Sequence, residues 1–204
     1  MNNNESRVIV ALDYPDQKQA LEFVAKTSPD QCKLKIGKEL FTRSGPQLVE
    51  KLVRNGFDIF LDLKFHDIPN TVKKAVYAAA QLEVWMVNVH AMGGQSMLSA
   101  AREGIDLAGN RHPFLIAVSV LTSMTAADLV QLGINDDLPD FVKRLAGMAI
   151  NEGLDGLVCS AQEATLLRDK FGDAPLLVTQ GIRPDWAATN NQQRIMTPDQ
   201  AIKN

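Results

Sequence analysis

The stretch FDIFLDLKFHDIPNT, residues 57–71, begins as a buried strand, with Phe57, Ile59, Phe60 and Leu61 apolar at alternating and adjacent positions. Asp62, Lys64 and Asp67 then stand where such a strand should be most hydrophobic. An unpaired buried charge costs several kcal/mol. The chain must therefore either solvate this cluster or use it. In a parallel barrel, charged groups of this kind collect at the carboxyl ends of the strands, where chemistry is done.

Outward from this stretch the same pattern repeats. Besides Asp58–Phe65, short β-rich runs occur at Arg7–Asp13, Cys32–Gly37, Met86–Ala91, Phe114–Leu121, Gly156–Ala161 and Pro175–Gly181. Helix-period segments separate them at Gln17–Ala25, Gly45–Asn55, Thr71–Leu82, Ser96–Ala108, Leu138–Asn151 and Gln162–Lys170. Strict β/α alternation, with strands apolar on both faces, predicts a parallel sheet. Strands repeating at roughly 25 to 30 residues predict an α/β fold of the TIM (β/α)₈-barrel type. A doubly wound open sheet is the competitor, and it usually stops at about five or six strands. No linker or repeat tract divides the chain, so residues 1–204 are expected to form a single domain. After the seventh run come a polar stretch, Asp185–Arg194, and a helix start at Asp199–Lys203. The eighth β/α unit would follow Asn204, and an unclosed barrel exposes two strand edges.

Composition narrows the function classes. The chain is 46% hydrophobic and 22% charged, with a net charge of -3. No Lys/Arg run is present, which argues against a nucleic-acid surface. The amino terminus lacks a signal-peptide pattern and no apolar run approaches membrane-spanning length, so a cytoplasmic protein is expected. Cys32 and Cys159 sit in apolar runs and read as reduced core residues.

At the ends of the first three runs stand Asp13, Lys35, Asp62 and Lys64. Residues two apart on a strand share a face, which points Asp62 and Lys64 the same way with Cα atoms about 6.6 Å apart and turns Leu61, Leu63 and Phe65 to the helices. The four charges are thus expected to converge on one mouth. A structural ion-pair plug is the alternative, although plugs suit the amino-terminal face better. A lysine between carboxylates is suited to proton donation and electrostatic stabilisation, whereas a Schiff-base nucleophile needs a lowered pKa. His66, His90 and Asp67 fit no zinc spacing, so no metal is expected.

DLKFHDIPNT resembles the D-x-K-x-x-D signature of the orotidine 5′-phosphate decarboxylase family. The flanking text is similar to the bacterial members in order: VALD (10–13), KLKIGKELF (33–41), MVNVHAMGG (86–94), LTSM (121–124), VCSAQE (158–163), GIRP (181–184) and RIMTP (194–198). The resemblance implies a cofactor-independent carboxy-lyase that converts orotidine 5′-monophosphate (OMP) to UMP and CO₂ in pyrimidine biosynthesis. It implies Lys64 as proton donor, Asp62 beside the departing carboxylate, Lys35 holding Asp62 and reaching the ribose, and Asp13 on a ribose hydroxyl. Asp67 and Thr71 are expected to enter the neighbouring site of a homodimer. Thr122 matches a pyrimidine contact, and Arg183 and Gln192 match phosphate-loop positions. Gln180 departs from the family's usual Pro, and the Gly-Arg pair that completes the phosphate grip would lie past Asn204. The 204-residue chain is accordingly expected to bind nucleotide poorly. Two rivals stand beside this reading. One is a magnesium-dependent sugar-phosphate decarboxylase or aldolase of the same suprafamily, for which Glu39 is the candidate ligand. The other is a catalytically silent nucleotide-binding protein.

Overall fold

In the computed structural model, which describes residues 6–109, 112–183 and 196–203, each apolar run becomes a strand and a helix follows it. The elements in chain order are β1 (Ile9–Ala11), α1 (Gln17–Val24), β2 (Lys33–Gly37), α2 (Lys38–Arg54), β3 (Ile59–Phe65), α3 (Pro69–Ala80), β4 (Met86–His90) and α4 (Gln95–Asp106). They continue with β5 (Phe114–Val118), α5 (Ala126–Gln131), α6 (Leu138–Asn151), β6 (Gly156–Ser160), α7 (Ala161–Phe171), β7 (Leu176–Gln180) and α8 (Pro198–Lys203). No eighth strand occurs among the described residues.

The residues gather into two compact units. One joins the chain up to Val89 with Ala100–Leu115, and the other joins His90–Ser99 with the chain from Ile116 onward. In the first unit β1 pairs with β2, β2 with β3 and β3 with β4, all parallel. In the second, β5 pairs with β6 and β6 with β7, again parallel. Within each unit the strands thus neighbour one another in chain order. Among the described residues neither unit shows the order reversal that marks a doubly wound sheet.

Burial follows the two-sided apolar pattern. Leu34, Ile36, Ile59, Phe60 and Val87 are fully buried in the first unit, as are Ile116, Ala117 and Leu157 in the second. Helices α2, α3 and α6 cover them with one apolar face each, through residues such as Leu48, Leu52, Val76, Val142 and Ala146. β1 and β7 are the least buried strands. Among the described residues no helix is long and apolar enough to cross a membrane.

Two segments differ from expectation. α2 begins at Lys38, not at Gly45, because it is two helical pieces broken at Gly45, whose φ of 64° and ψ of -171° stop the first piece while Pro46 opens the second. The short helix α5 is additional. Its start is fixed by a capping box, with the Thr125 N–H donating to Asp128 Oδ2 at 2.7 Å.

Candidate active site

The first three strands deliver their charged ends to one place. Asp13 follows β1, Lys35 lies within β2, and Asp62 and Lys64 lie within β3. Lys35 Nζ stands 3.5 Å from Asp13 Oδ1 and 3.4 Å from Asp62 Oδ2, and Lys64 Nζ is 2.5 Å from Asp62 Oδ1. The result is an alternating chain, Asp13–Lys35–Asp62–Lys64, exposed at Asp13 and most deeply buried at Asp62. The Asp13 side chain is 73% exposed, those of Lys35 and Lys64 are 17% and 19% exposed, and that of Asp62 is 4% exposed. Burial by itself would raise the Asp62 carboxyl. The charges of Lys64 and Lys35, with hydrogen bonds from Lys64 and Asn88, outweigh it and hold Asp62 below the usual carboxylate value.

The route by which Asp62 and Lys64 meet is not the regular strand that simple alternation predicts. Leu61 is in register with Val87 and Phe65 with Val89, so β3 takes four steps where β4 takes two. Within this bulge Lys64 adopts a left-handed backbone with φ of 52°. Its N–H, turned out of the ladder, donates to Asn88 Oδ1 at 2.8 Å. Asn88 Nδ2 in turn donates to Asp62 Oδ1 at 2.7 Å. The sequence reading passed over Asn88. The one signal for it was a lone amide inside the apolar run MVNVH, which propensity alone treats as a flaw in the strand.

Asp67 and Thr71 lie on the surface just beyond β3. Asp67 Oδ1 accepts the neighbouring Ile68 N–H at 2.6 Å, and Thr71 sits in the first turn of α3. Neither makes a hydrogen bond or ion pair with the four-charge chain among the described residues. Thr122 and Arg183 belong to the second unit. Thr122 is half-buried in the loop after β5. Arg183 follows β7; its N–H donates to Met196 O at 3.0 Å, and its buried Nε has no hydrogen-bond partner among the described residues. Gln192 lies outside the described residues. Gln180 ends β7. Glu39 is exposed on α2 and paired with Arg43 Nε at 3.5 Å. Among the described residues no group of three or more His, Cys, Asp or Glu side chains is arranged to hold a metal ion.

Parallel strands in chain order, each followed by a helix, with paired lysines and aspartates at their carboxyl ends, define an enzyme of the β/α-barrel class. The chain belongs to the orotidine 5′-phosphate decarboxylase / HUMPS family, whose profile matches residues 6–204. It is 56% identical over 198 residues to orotidine 5′-phosphate decarboxylase of Escherichia fergusonii, covering 97% of this chain and 81% of that protein. Identity to the Vibrio cholerae enzyme of the same name is 57% over 199 residues, covering 98% and 86%. Among solved structures, orotidine 5′-phosphate decarboxylase from Lactobacillus acidophilus aligns with a TM-score of 0.84 at 37% identity, covering 96% of this chain and 85% of that one. The fold is therefore the α/β barrel of that family, with seven of its strands among the described residues.

Proposed function

We propose that the chain catalyses the decarboxylation of OMP to UMP and CO₂ without a metal or organic cofactor. The observation that carries this reading is the ammonium of Lys64 held 2.5 Å from the buried carboxylate of Asp62, whose other oxygen faces Lys35 at 3.4 Å. A family whose profile matches residues 6–204 supports the same reading.

In the proposed reaction the bond from C6 of the pyrimidine to its carboxylate breaks, and the electron pair stays on C6 as CO₂ departs. Lys64 stabilises that carbanion as the nearest cation and then delivers a proton to it, regaining one from solvent. Asp62 stands beside the departing carboxylate. Lys35 holds Asp62 and reaches the ribose, and Asp13 takes a ribose hydroxyl. Thr122 contacts the pyrimidine, Arg183 and Gln192 hold the phosphate, and Asp67 and Thr71 act in the neighbouring site of a homodimer. Each factor of ten in rate needs about 1.4 kcal/mol, and an unaided decarboxylation needs roughly 20 kcal/mol of help. A single lysine falls short of that, so binding energy from the remote phosphate is the natural second source. The protein would act in the cytoplasm, in UMP biosynthesis.

The test is release of labelled CO₂ from carboxyl-labelled OMP in the presence of EDTA. It is run on the 204-residue chain and on the same chain joined to the carboxyl-terminal remainder of the V. cholerae relative. Turnover that survives EDTA supports the proposal. Turnover abolished by EDTA and restored by magnesium would favour a metal-dependent relative instead. Tight UMP binding with no CO₂ from either form would reduce the protein to a nucleotide binder.

A further inference from the structure

The chemistry proposed above leaves one buried polar side chain at the site without a task. Asn88 is 0% exposed, in a strand whose other buried residues are Met86, Val87 and Val89. Both ends of its amide are engaged. Oδ1 accepts the Lys64 N–H at 2.8 Å, and Nδ2 donates to Asp62 Oδ1 at 2.7 Å. The same carboxylate oxygen receives Lys64 Nζ at 2.5 Å, so the contacts close a ring: Lys64 backbone, Asn88, Asp62, Lys64 side chain.

The bulge explains why such a ring is needed. Between the Leu61–Val87 and Phe65–Val89 register points β3 leaves the ladder, and an N–H inside it has no strand carbonyl opposite. Asn88 supplies the missing acceptor from a side chain. Its orientation is fixed by its partners, since a reversed amide would set NH₂ against N–H and oxygen against carboxylate. No other residue of this size offers a neutral donor and acceptor on one planar fork. Aspartate would keep the acceptor, lose the donor, and face Asp62 as a like charge. Leucine would fill the space and supply neither bond.

We infer that Asn88 is a positioning residue: it pins the bulge at Lys64 and orients the Asp62 carboxylate, so that the Lys64 ammonium is presented at one place. This rests on the proposed decarboxylation, because it assigns Asn88 a role in delivering that reaction's proton donor.

The test compares wild type, Asn88→Leu and Asn88→Asp in whichever form releases CO₂. It measures kcat and KM for OMP, UMP affinity, the urea midpoint, and hydrogen exchange at the Lys64 amide. Misplacing a reacting group by about 1 Å costs on the order of 10²-fold. Asn88→Leu is therefore expected to lower kcat about 10²-fold while KM and UMP affinity stay within about threefold. Its Lys64 amide should exchange rapidly. In Asn88→Asp that amide should remain protected while kcat falls at least as far, which separates the bond to Lys64 from the bond to Asp62. Wild-type kcat in Asn88→Leu overturns the inference, as does a loss of kcat that merely tracks lost UMP affinity or lost folded protein. Should Asn88→Leu fail to fold, wild-type kcat in Asn88→Asp overturns it equally. A wild type that releases no CO₂ removes the functional reading itself, whereas active wild type with indifferent variants removes only the role of Asn88.

Discussion

Lys64 occupies an unfavourable backbone for the sake of its ammonium. A left-handed conformation costs a non-glycine residue about 1–2 kcal/mol, and it persists only where the surroundings over-determine it. Here they do, through Asn88 on the N–H and Asp62 on Nζ. Replacing the side chain while keeping its bulk removes both the proposed proton donor and the nearest cation. Lys64→Met should therefore lower kcat/KM by about 10⁴-fold or more, with UMP affinity changed less than about tenfold. Stopped or quenched assays with labelled OMP decide this; a Lys64→Met enzyme within about tenfold of wild type would assign the proton to another group. Asp62 carries a second prediction. Its carboxyl is held below the ordinary value of 3.8, so it binds its proton less readily folded than unfolded. The stabilisation it gives is fully present above that value and fades as pH falls through the lower folded pKa. The stability advantage of wild type over Asp62→Asn in urea should thus shrink between pH 7 and acid below about pH 4. An advantage that grows in acid would mean that burial, not the lysines, governs this carboxyl. The charges themselves were legible in the sequence, because a run such as IFLDLK leaves Asp62 and Lys64 no apolar excuse. The bulge was not legible, because its cause is the pairing of β3 with β4 and an amide that lies 24 residues away.

The strands themselves carry two ionic clusters, one at each end, built from lysines two residues apart in β2. Lys35 belongs to the candidate site. Lys33, at the start of the strand, is 7% exposed, pairs with Asp58 at 3.3 Å, donates to Ser6 O at 3.3 Å and stands 4.9 Å from the centre of the Trp85 ring. Asp58 immediately precedes β3 and Trp85 immediately precedes β4, which puts this cluster at the amino ends of the strands. That is where a structural ion pair belongs in a barrel, and conservation of stability is its expected work. Lys33→Met should lower the unfolding free energy by about 1–2 kcal/mol, since it removes a cation–π contact and leaves Asp58, half in solvent, to be hydrated. Its kcat should stay within about twofold of wild type, since the side chain is remote from the Asp62–Lys64 pair along β2. Lys35→Met should differ in activity, losing about 10²-fold or more in kcat, and it should also lower stability, because the buried Asp62 carboxylate keeps only one of its two lysines. Urea titration and steady-state kinetics on both variants read the contrast, and an Lys33→Met protein that loses activity at unchanged stability would erase it. Sequence alone separates these two lysines only through the strand-end rule, because KLKIG offers no difference in residue type. The same limit explains the helices: the apolar periods of α3, α4 and α6 were readable, whereas α5 is only six residues long and depends on a cap more than on a buried stripe.

At the scale of the whole molecule, the question is whether one subunit holds a complete site. Asp67 and Thr71 are exposed just past β3, and between them Ile68 leaves 68% of its surface uncovered. The homodimer proposed above would cover Ile68, and it would give Asp67, which accepts only the Ile68 N–H at 2.6 Å among the described residues, a neighbour's array to enter. A twofold interface would bring the same segment of each subunit to the other's array, so that every site takes Lys64 from one chain and Asp67 from its neighbour. Shared sites have an arithmetic signature. On that proposal Lys64→Ala and Asp67→Asn chains would each be inactive as homodimers, whereas a mixed dimer would have one site with both defects and one with none. Random exchange between equal amounts makes half of the dimers mixed, so about a quarter of all sites recover. Co-refolding or slow exchange of the two variants, followed by OMP turnover, should restore about a quarter of wild-type activity, and the recovery should vanish when the chains are kept apart. If no activity returns although mixed dimers are demonstrated by mass, Asp67 does not complete a neighbour's site and the shared-site reading falls.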